Sequence, residues 1–210
     1  SKKVRGVKEV IIAADSDLTR RIMVSYGADV VLTPQSISSG TERAAYACRR
    51  IGCKAVLNIQ ADEPLFSING VTKMVEEIKK KNSDSIVTLA APMHERREIE
   101  NPNNVKVVLD NLSRAVYFSR SVIPFCREKA LYERRIKKGV YLKHMGVYAY
   151  KKDVLLRAAR LEASYPEDME KLEQLKYLSN GYKIMVMKGH YNSTGVDTPS
   201  DLIRVKKEIG

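Results

Sequence analysis

Ala55-Val56-Leu57-Asn58-Ile59-Gln60-Ala61-Asp62-Glu63-Pro64 begins as a buried strand and ends in polar residues before a helix that starts near Ser67. Strand-like and helix-like stretches alternate on both sides of it. Upstream, Val10 to Ala14 reads as a buried strand and Asp17 to Ser25 as a helix stopped by Gly27. Val30 to Thr33 is a short strand ended by Pro34. Gly40 to Ile51 spaces Ala44, Ala45, Ala47, Cys48 and Ile51 as a helix does. Downstream, Ser67 to Lys81 reads as a helix and Ser85 to Ala90 as a strand. This β-α-β-α order predicts an α/β fold with a mostly parallel sheet covered by helices. Functional residues on such sheets gather at the carboxyl ends of strands. After Asn101 the rhythm changes. Val105 to Leu109 and Ala115 to Phe118 read as strands, Arg127 to Gly139 as a basic loop and Val140 to Tyr150 as a long strand. Asp153 to Leu161 and Met169 to Leu178 read as helices, Lys183 to Met187 as a strand and Pro199 to Ile209 as a closing helix. The middle third is therefore expected to be an antiparallel insertion in a single domain with no repeat and no linker.

The chain has 210 residues, 44% hydrophobic and 30% charged, which are globular values long enough for a core without staples. No apolar run approaches the roughly 18 residues that cross a membrane, and Val10 to Ala14 reads as a strand rather than a signal peptide. Cys48, Cys53 and Cys126 form no Cys-x-x-Cys pair, so reduced thiols and a cytoplasmic protein are expected. The 37 Lys and Arg against 25 Asp and Glu give a net charge of +12, which favours anionic partners. These cations are scattered and not interleaved with aromatics, so no specific nucleic-acid stripe is expected.

Five constellations could carry chemistry. Alternation puts Asn58, Gln60 and Asp62 on one strand face, with Asp62 where the strand runs out. A carboxylate there can hold Mg²⁺ through oxygen while nucleotide phosphates supply other ligands; the stretch reads equally as a polar loop. In Thr194-Gly195-Val196-Asp197-Thr198-Pro199-Ser200-Asp201, helix capping accounts for Thr198, Pro199 and Asp201. Asp197 is left over, and a second metal-binding carboxylate would fit it. Ser39 and Glu42 in Ser38-Ser39-Gly40-Thr41-Glu42-Arg43 form a capping pattern, at a helix start that attracts anions. Arg43 on that turn is either solvated or an anion contact. His144 and Tyr148 share a strand face, with Gly146 leaving open space between them; a lone strand histidine is otherwise structural. Met169, Leu172 and Leu175 give a helical stripe with Glu173 on its border, where a carboxylate must be solvated, paired or liganded. No Walker loop, Rossmann glycine fingerprint, zinc spacing or Ser/His/Asp set is present.

In this order, the pieces resemble the 3-deoxy-D-manno-octulosonate (Kdo) cytidylyltransferases, the CMP-Kdo synthetase family. The stretches that carry the resemblance are Val10 to Asp15, Ser39 to Arg43, Gln60 to Pro64, Asn104 to Asp110, Tyr117 to Arg120 with Ile123-Pro124, Lys143 to Tyr148, Leu172 to Leu175 and Gly195 to Pro199. The resemblance implies a Rossmann-like nucleotidyltransferase three-layer sandwich with an antiparallel sugar-binding and dimerisation insertion. Residues 1–110 and 190–210 would form the nucleotide-binding part and 111–189 the sugar-binding part. It further implies transfer of CMP from CTP to the anomeric hydroxyl of Kdo for lipopolysaccharide-type glycan synthesis, with release of pyrophosphate. Asp62 and Asp197 would be the catalytic Mg²⁺ ligands. Ser39, Gly40, Arg43 and Asp62 would bind the nucleotide. Gln60, His144, Tyr148 and Glu173 would line the sugar pocket, with Arg120 and Arg127 near the substrate carboxylate. Family members are typically cytoplasmic homodimers joined through the insertion. Such a reaction needs alignment and charge neutralisation more than a protein nucleophile. No residue stands out as a general base, so a metal-lowered hydroxyl pKa is the expected route.

Two departures accompany the resemblance. Ala61 stands where the family has glycine, which is expected to crowd the nucleotide or ribose. The family also opens with a strand and a loop whose Arg and Lys grip the CTP phosphates, and roughly 40 residues of that pattern are expected to be missing here. That strand would lie mid-sheet, so apolar strand edges are expected to be exposed. Rival readings are a CMP-activating synthetase for 8-amino-Kdo, sialic or pseudaminic acid, and a non-catalytic nucleotide- or sugar-binding relative.

Overall fold

The computed structural model describes residues 3–37, 39–61, 63, 65–80, 84–191, 196, 202–203 and 205–207. In chain order the elements are β1 (Ile11–Ala14), α1 (Asp17–Ser25), β2 (Asp29–Leu32), α2 (Gly40–Cys48), β3 (Ala55–Asn58), α3 (Ile68–Ile78), β4 (Ile86–Pro92), α4 (Arg96–Glu100), β5 (Lys106–Leu109) and β6 (Ala115–Ser119). They continue with α5 (Lys129–Lys137), β7 (Leu142–Lys151), α6 (Lys152–Ala158), α7 (Tyr165–Glu170), α8 (Gln174–Ser179) and β8 (Ile184–Lys188). Residues 202–203 and 205–207 are helical, within the expected closing helix.

Strand β7 organises the six-stranded sheet. One edge of β7 pairs antiparallel with β4 along nearly its whole length, and the other takes β5 at Lys143 and β3 from Tyr148 to Lys151. Strand β8 pairs parallel with β4, and β6 pairs antiparallel with β5. Thus β3, β4, β5 and β8 run one way and β6 and β7 the other. The parallel frame expected from the β-α-β-α order is present in strand direction. The long strand expected in an antiparallel insertion instead lies inside the main sheet, between β3 and β4. Strands β1 and β2 form a separate parallel pair, so among the described strands β1 and β3 each keep a free edge. Helix α1, beside that pair, buries none of its residues, and Leu18 and Leu32 are exposed.

Period-two alternation sorts the sheet into two cores. Tyr148, Tyr150, Ile86, Ala90, Ile184 and Val186 face α2, α6 and α8, whose Ala45, Leu155, Leu175 and Tyr177 complete one cluster. Met145, Val147, Ala149, Val87 and Leu89 face the opposite way onto Val71, Met74, Val75 and Ile78 of α3. Helices on both faces make the three-layer sandwich. Burying this much apolar side chain, at roughly 25 cal/mol per Å², is what holds the layers together.

Two expected elements differ. The basic loop from Arg127 to Gly139 is largely helix α5, docked through Ile136 and Tyr132 on Met93, Ile99 and Tyr141. Arg96 lies over the Tyr132 ring and pairs with Glu133. The expected helix over Met169 to Leu178 is two helices. A Ser164–Glu167 capping box starts α7, and Lys171, left-handed at φ 53°, ends it with its N–H donating to Glu167 O at 2.7 Å. Met169 is consequently 68% exposed and does not extend the Leu172–Leu175 stripe.

Candidate functional site

Strand β7 carries the centre of the site. The rings of His144 and Tyr148 lie 5.4 Å apart on one face, as their spacing predicts. The edge of Phe118 from β6 closes on His144 at 5.0 Å, and Tyr150 stacks on Tyr148 at 5.7 Å. Thr88 of β4 lies beneath them. Its Oγ1 is 3.1 Å from His144 Nε2 and 2.8 Å from Val147 O. A hydroxyl has one proton, so the consistent arrangement has Thr88 donating to the carbonyl and accepting from His144 Nε2–H. Burial pushes the His144 pKa down to about 3, which leaves Nδ1 of a neutral imidazole as an acceptor. Burial, then Tyr150 and Glu173, push the Tyr148 phenol well above its ordinary value, so it is a donor at any neutral pH.

Among the described residues the buried Tyr148 hydroxyl makes no well-formed hydrogen bond, with Thr88 its neighbouring hydroxyl, and Oε1 of Glu173 is buried without one as well. The Lys176 ammonium stands 3.8 Å from that oxygen. Leaving a buried polar atom unpaired costs about 1–3 kcal/mol. A donor and an acceptor left orphaned in one region mark a place for a ligand with hydroxyl groups. Gly146, between His144 and Tyr148, leaves space that, among the described residues, only Glu63 approaches, its Oε1 3.6 Å from where a Cβ would stand.

The first turn of α2 meets this region. Ser39 caps the helix, its Oγ accepting from Glu42 N at 3.1 Å. Gly40 lies under the Gln60 side chain, whose Nε2 would be 2.9 Å from an added Cβ. Thr41 Oγ1 donates to Glu173 Oε2 at 2.9 Å. Arg43 faces the β1–β2 pair, bonding Thr33 Oγ1 at 2.6 Å and Ile37 O at 2.9 Å and pairing with Asp15 at 3.3 Å. Its guanidinium thus fixes α2 to the smaller sheet.

The structure therefore brings together Gln60, His144, Tyr148 and Glu173 around the first turn of α2 that carries Ser39 and Gly40. It holds Arg120 by other groups: Nε donates to Glu170 O at 2.8 Å and one terminal nitrogen to Pro102 O at 3.2 Å. Arg127 is exposed ahead of α5. Asp62 and Asp197 lie outside the described residues. Ala61 sits in an exposed turn, and the positive-φ non-glycine positions among the described residues are Ser113 and Lys171. Alanine at position 61 therefore needs no glycine-only backbone.

Sequence reasoning missed Lys106. It is fully buried on β5, and Nζ donates to the carbonyls of Asn101 (3.1 Å), Asn104 (2.6 Å) and Arg120. Burial pulls its pKa down, and the Glu170 charge partly offsets this. Nothing in the local pattern distinguishes it from a solvated strand lysine. Thr41 and Tyr177 were missed as well; the four-residue step from Glu173 points to Tyr177 on the same helix, whereas no local signal points to Thr41, 132 positions from Glu173.

A family model described as cytidylyltransferase matches residues 2–184. The 3-deoxy-manno-octulosonate cytidylyltransferase of Fusobacterium nucleatum is 35% identical over 204 residues, spanning 97% of this chain and 80% of that protein. The Francisella tularensis protein of that name is 40% identical over 203 residues, spanning 94% and 80%. A solved structure of CMP:2-keto-3-deoxy-manno-octonic acid synthetase complexed with CTP superposes with a TM-score of 0.89 at 32% identity, covering 99% of this chain and 83% of that one. With two cores on one β7-centred sheet, an orphaned donor and acceptor over its face and this similarity along nearly the whole chain, the protein belongs to the 3-deoxy-manno-octulosonate cytidylyltransferase family.

Proposed function

We propose that this chain transfers CMP from CTP to the anomeric hydroxyl of Kdo. The sugar oxygen forms the new bond to the α-phosphorus and the α–β phosphoanhydride bond breaks. Pyrophosphate leaves with the bonding electrons, and the hydroxyl proton passes to solvent. The observation that carries this reading is the pair of orphaned atoms, Tyr148 OH and Glu173 Oε1, beside His144 and Gln60. A polyhydroxylated sugar offers acceptors to the phenol and donors to the carboxylate and to His144 Nδ1. The apolar floor of Phe118 and Tyr150 excludes water and strengthens those bonds. Gln60, resting on Gly40, bridges from the sugar side toward the first turn of α2, where Ser39, Gly40 and Arg43 are proposed to meet the nucleotide.

No group of three or more His, Cys, Asp or Glu among the described residues could hold a metal. Mg²⁺ needs only one or two carboxylates plus substrate phosphates, and Asp62 and Asp197 are the donor set proposed for it. When bound, Mg²⁺ supplies charge neutralisation at the phosphates and lowers the pKa of a coordinated hydroxyl. Arg120 and Arg127 remain proposals for the carboxylate of the sugar acid. Arg120 would have to exchange its bond to Pro102 to serve there.

A second copy of the chain is the proposed partner. On edge strand β6, Val116 and Tyr117 are exposed, as are Tyr165 and Met169 of α7, which bonds to the end of β6 through Glu170 and Ser119. An apolar strand edge of this kind is normally covered.

Pyrophosphate release with CTP, Mg²⁺ and either Kdo or a nine-carbon sialic acid tests the reaction. Release with Kdo, weaker release with the longer acid and loss of release in Asp62→Ala are expected. Release that is equal for both acids, or unchanged in Asp62→Ala, would contradict the proposal.

A further inference from the structure

The Glu173 carboxylate divides its labour. Among the described residues Oε1 has no hydrogen-bond partner and only the Lys176 ammonium near it, at 3.8 Å, while Oε2 accepts from Thr41 Oγ1 at 2.9 Å. Thr41 Oγ1 in turn accepts from Tyr177 OH at 3.1 Å. Thr41 is 2% exposed and Tyr177 1%. Burial raises the Tyr177 phenol well above its ordinary range, which keeps it a donor. Tyr177 donates to Thr41 and Thr41 donates to Glu173, with the Tyr150 hydroxyl bonded into the same Thr41–Tyr177 cluster. Tyr177 follows Glu173 by four residues, so both project from one side of α8, and Thr41 is clamped between them. The Tyr177 ring is itself held by an edge contact with Tyr150 at 6.2 Å.

We propose that Thr41 is a positioning residue, and Tyr177 its support, that together fix Glu173 so that Oε1 stays turned to the sugar acid. This deepens the reading of the site as a Kdo pocket and rests on it. The branched Thr side chain is stiff about χ1 and stands on the second residue of α2. One turn of that helix thus supports two sugar-side groups, Gln60 through Gly40 and Glu173 through Thr41. The same turn is anchored to the β1–β2 pair through Arg43. The carboxylate is thereby fixed before substrate arrives, which is where such contacts gain most.

Steady-state kinetics on the full chain, with CTP and Kdo varied separately, test this in Thr41→Val, Thr41→Ser, Tyr177→Phe and Glu173→Gln. Loss of a hydrogen bond to a charged group is worth about tenfold. Thr41→Val is therefore expected to raise the Kdo KM about tenfold, with the CTP KM unchanged and kcat within about twofold. Thr41→Ser, which keeps the hydroxyl, is expected to restore the Kdo KM, and Tyr177→Phe to raise it by a smaller factor. A rise in Glu173→Gln without one in Thr41→Val would overturn the positioning role and leave the pocket standing. No rise in Glu173→Gln would overturn the pocket itself. Should Thr41→Val fail to fold, Tyr177→Phe with Thr41→Ser carries the same comparison, and equal Kdo KM values in both and in the parent chain would overturn the role.

Discussion

His144 shows how one buried side chain links the site to stability. In the unfolded chain its imidazole takes up a proton below about pH 6.5, whereas in the fold it stays neutral down to about 3. Between those values the unfolded state binds more protons, so stability present above pH 6.5 is lost as pH falls. Urea denaturation at pH 7.5 and pH 5.0 is expected to show a loss of about 2 kcal/mol from this one group. In His144→Gln the difference between the two pH values is expected to shrink by that amount. An unchanged difference would mean the ring is protonated in the fold. The residues around it differ in how far sequence alone reaches. The four-residue spacing of His144 and Tyr148 on a strand already places both rings on one face. Thr41 reads as part of a helix start, because its bond to Glu173 joins positions 132 apart in sequence. Pattern analysis sees nothing at that range.

At the scale of elements, those with a clean period are legible and those decided by tertiary contact are not. Strand β7 sends successive residues from Met145 to Tyr150 to opposite cores, and helix α3 shows a strong apolar stripe. Helix α5 hides because its apolar residues are few among cations, and it is held by a small outlying cluster around Tyr141 and Ile99 rather than by its own pattern. The break between α7 and α8 hides because Lys171, not glycine, takes the left-handed position, an uncommon choice. Strand β6 belongs to this scale as well. Val116 and Tyr117 are expected to be covered by a second copy, so the chain should sediment as a dimer. Val116→Glu combined with Tyr165→Glu should sediment as a monomer. A monomeric parent chain, or a dimer unaffected by the pair, would place the interface elsewhere or remove it.

For the whole molecule, the two-sided core around β7 explains why the site is where it is. The sheet face of β7 and β4 toward α2 and α8 is apolar except for His144, Thr88 and the Tyr148 and Tyr150 hydroxyls. Helices α2 and α8, from positions 40 and 174, both pack on that face. The α/β order was therefore readable, as was the shared face of His144 and Tyr148. The central place of β7 was not, since strand order depends on pairings that span the chain. The +12 charge suits a protein handling a nucleoside triphosphate and a sugar acid, and no described helix is long and apolar enough to cross a membrane. The central claim is that the orphaned Tyr148 hydroxyl waits for the sugar, and Tyr148→Phe tests it in two readouts. Removing a buried, unpaired hydroxyl is expected to leave stability unchanged or raise it by up to about 1 kcal/mol. The Kdo KM is expected to rise about tenfold and the CTP KM to stay fixed. A loss of stability with an unchanged Kdo KM would show that the hydroxyl serves the fold, and would contradict the account.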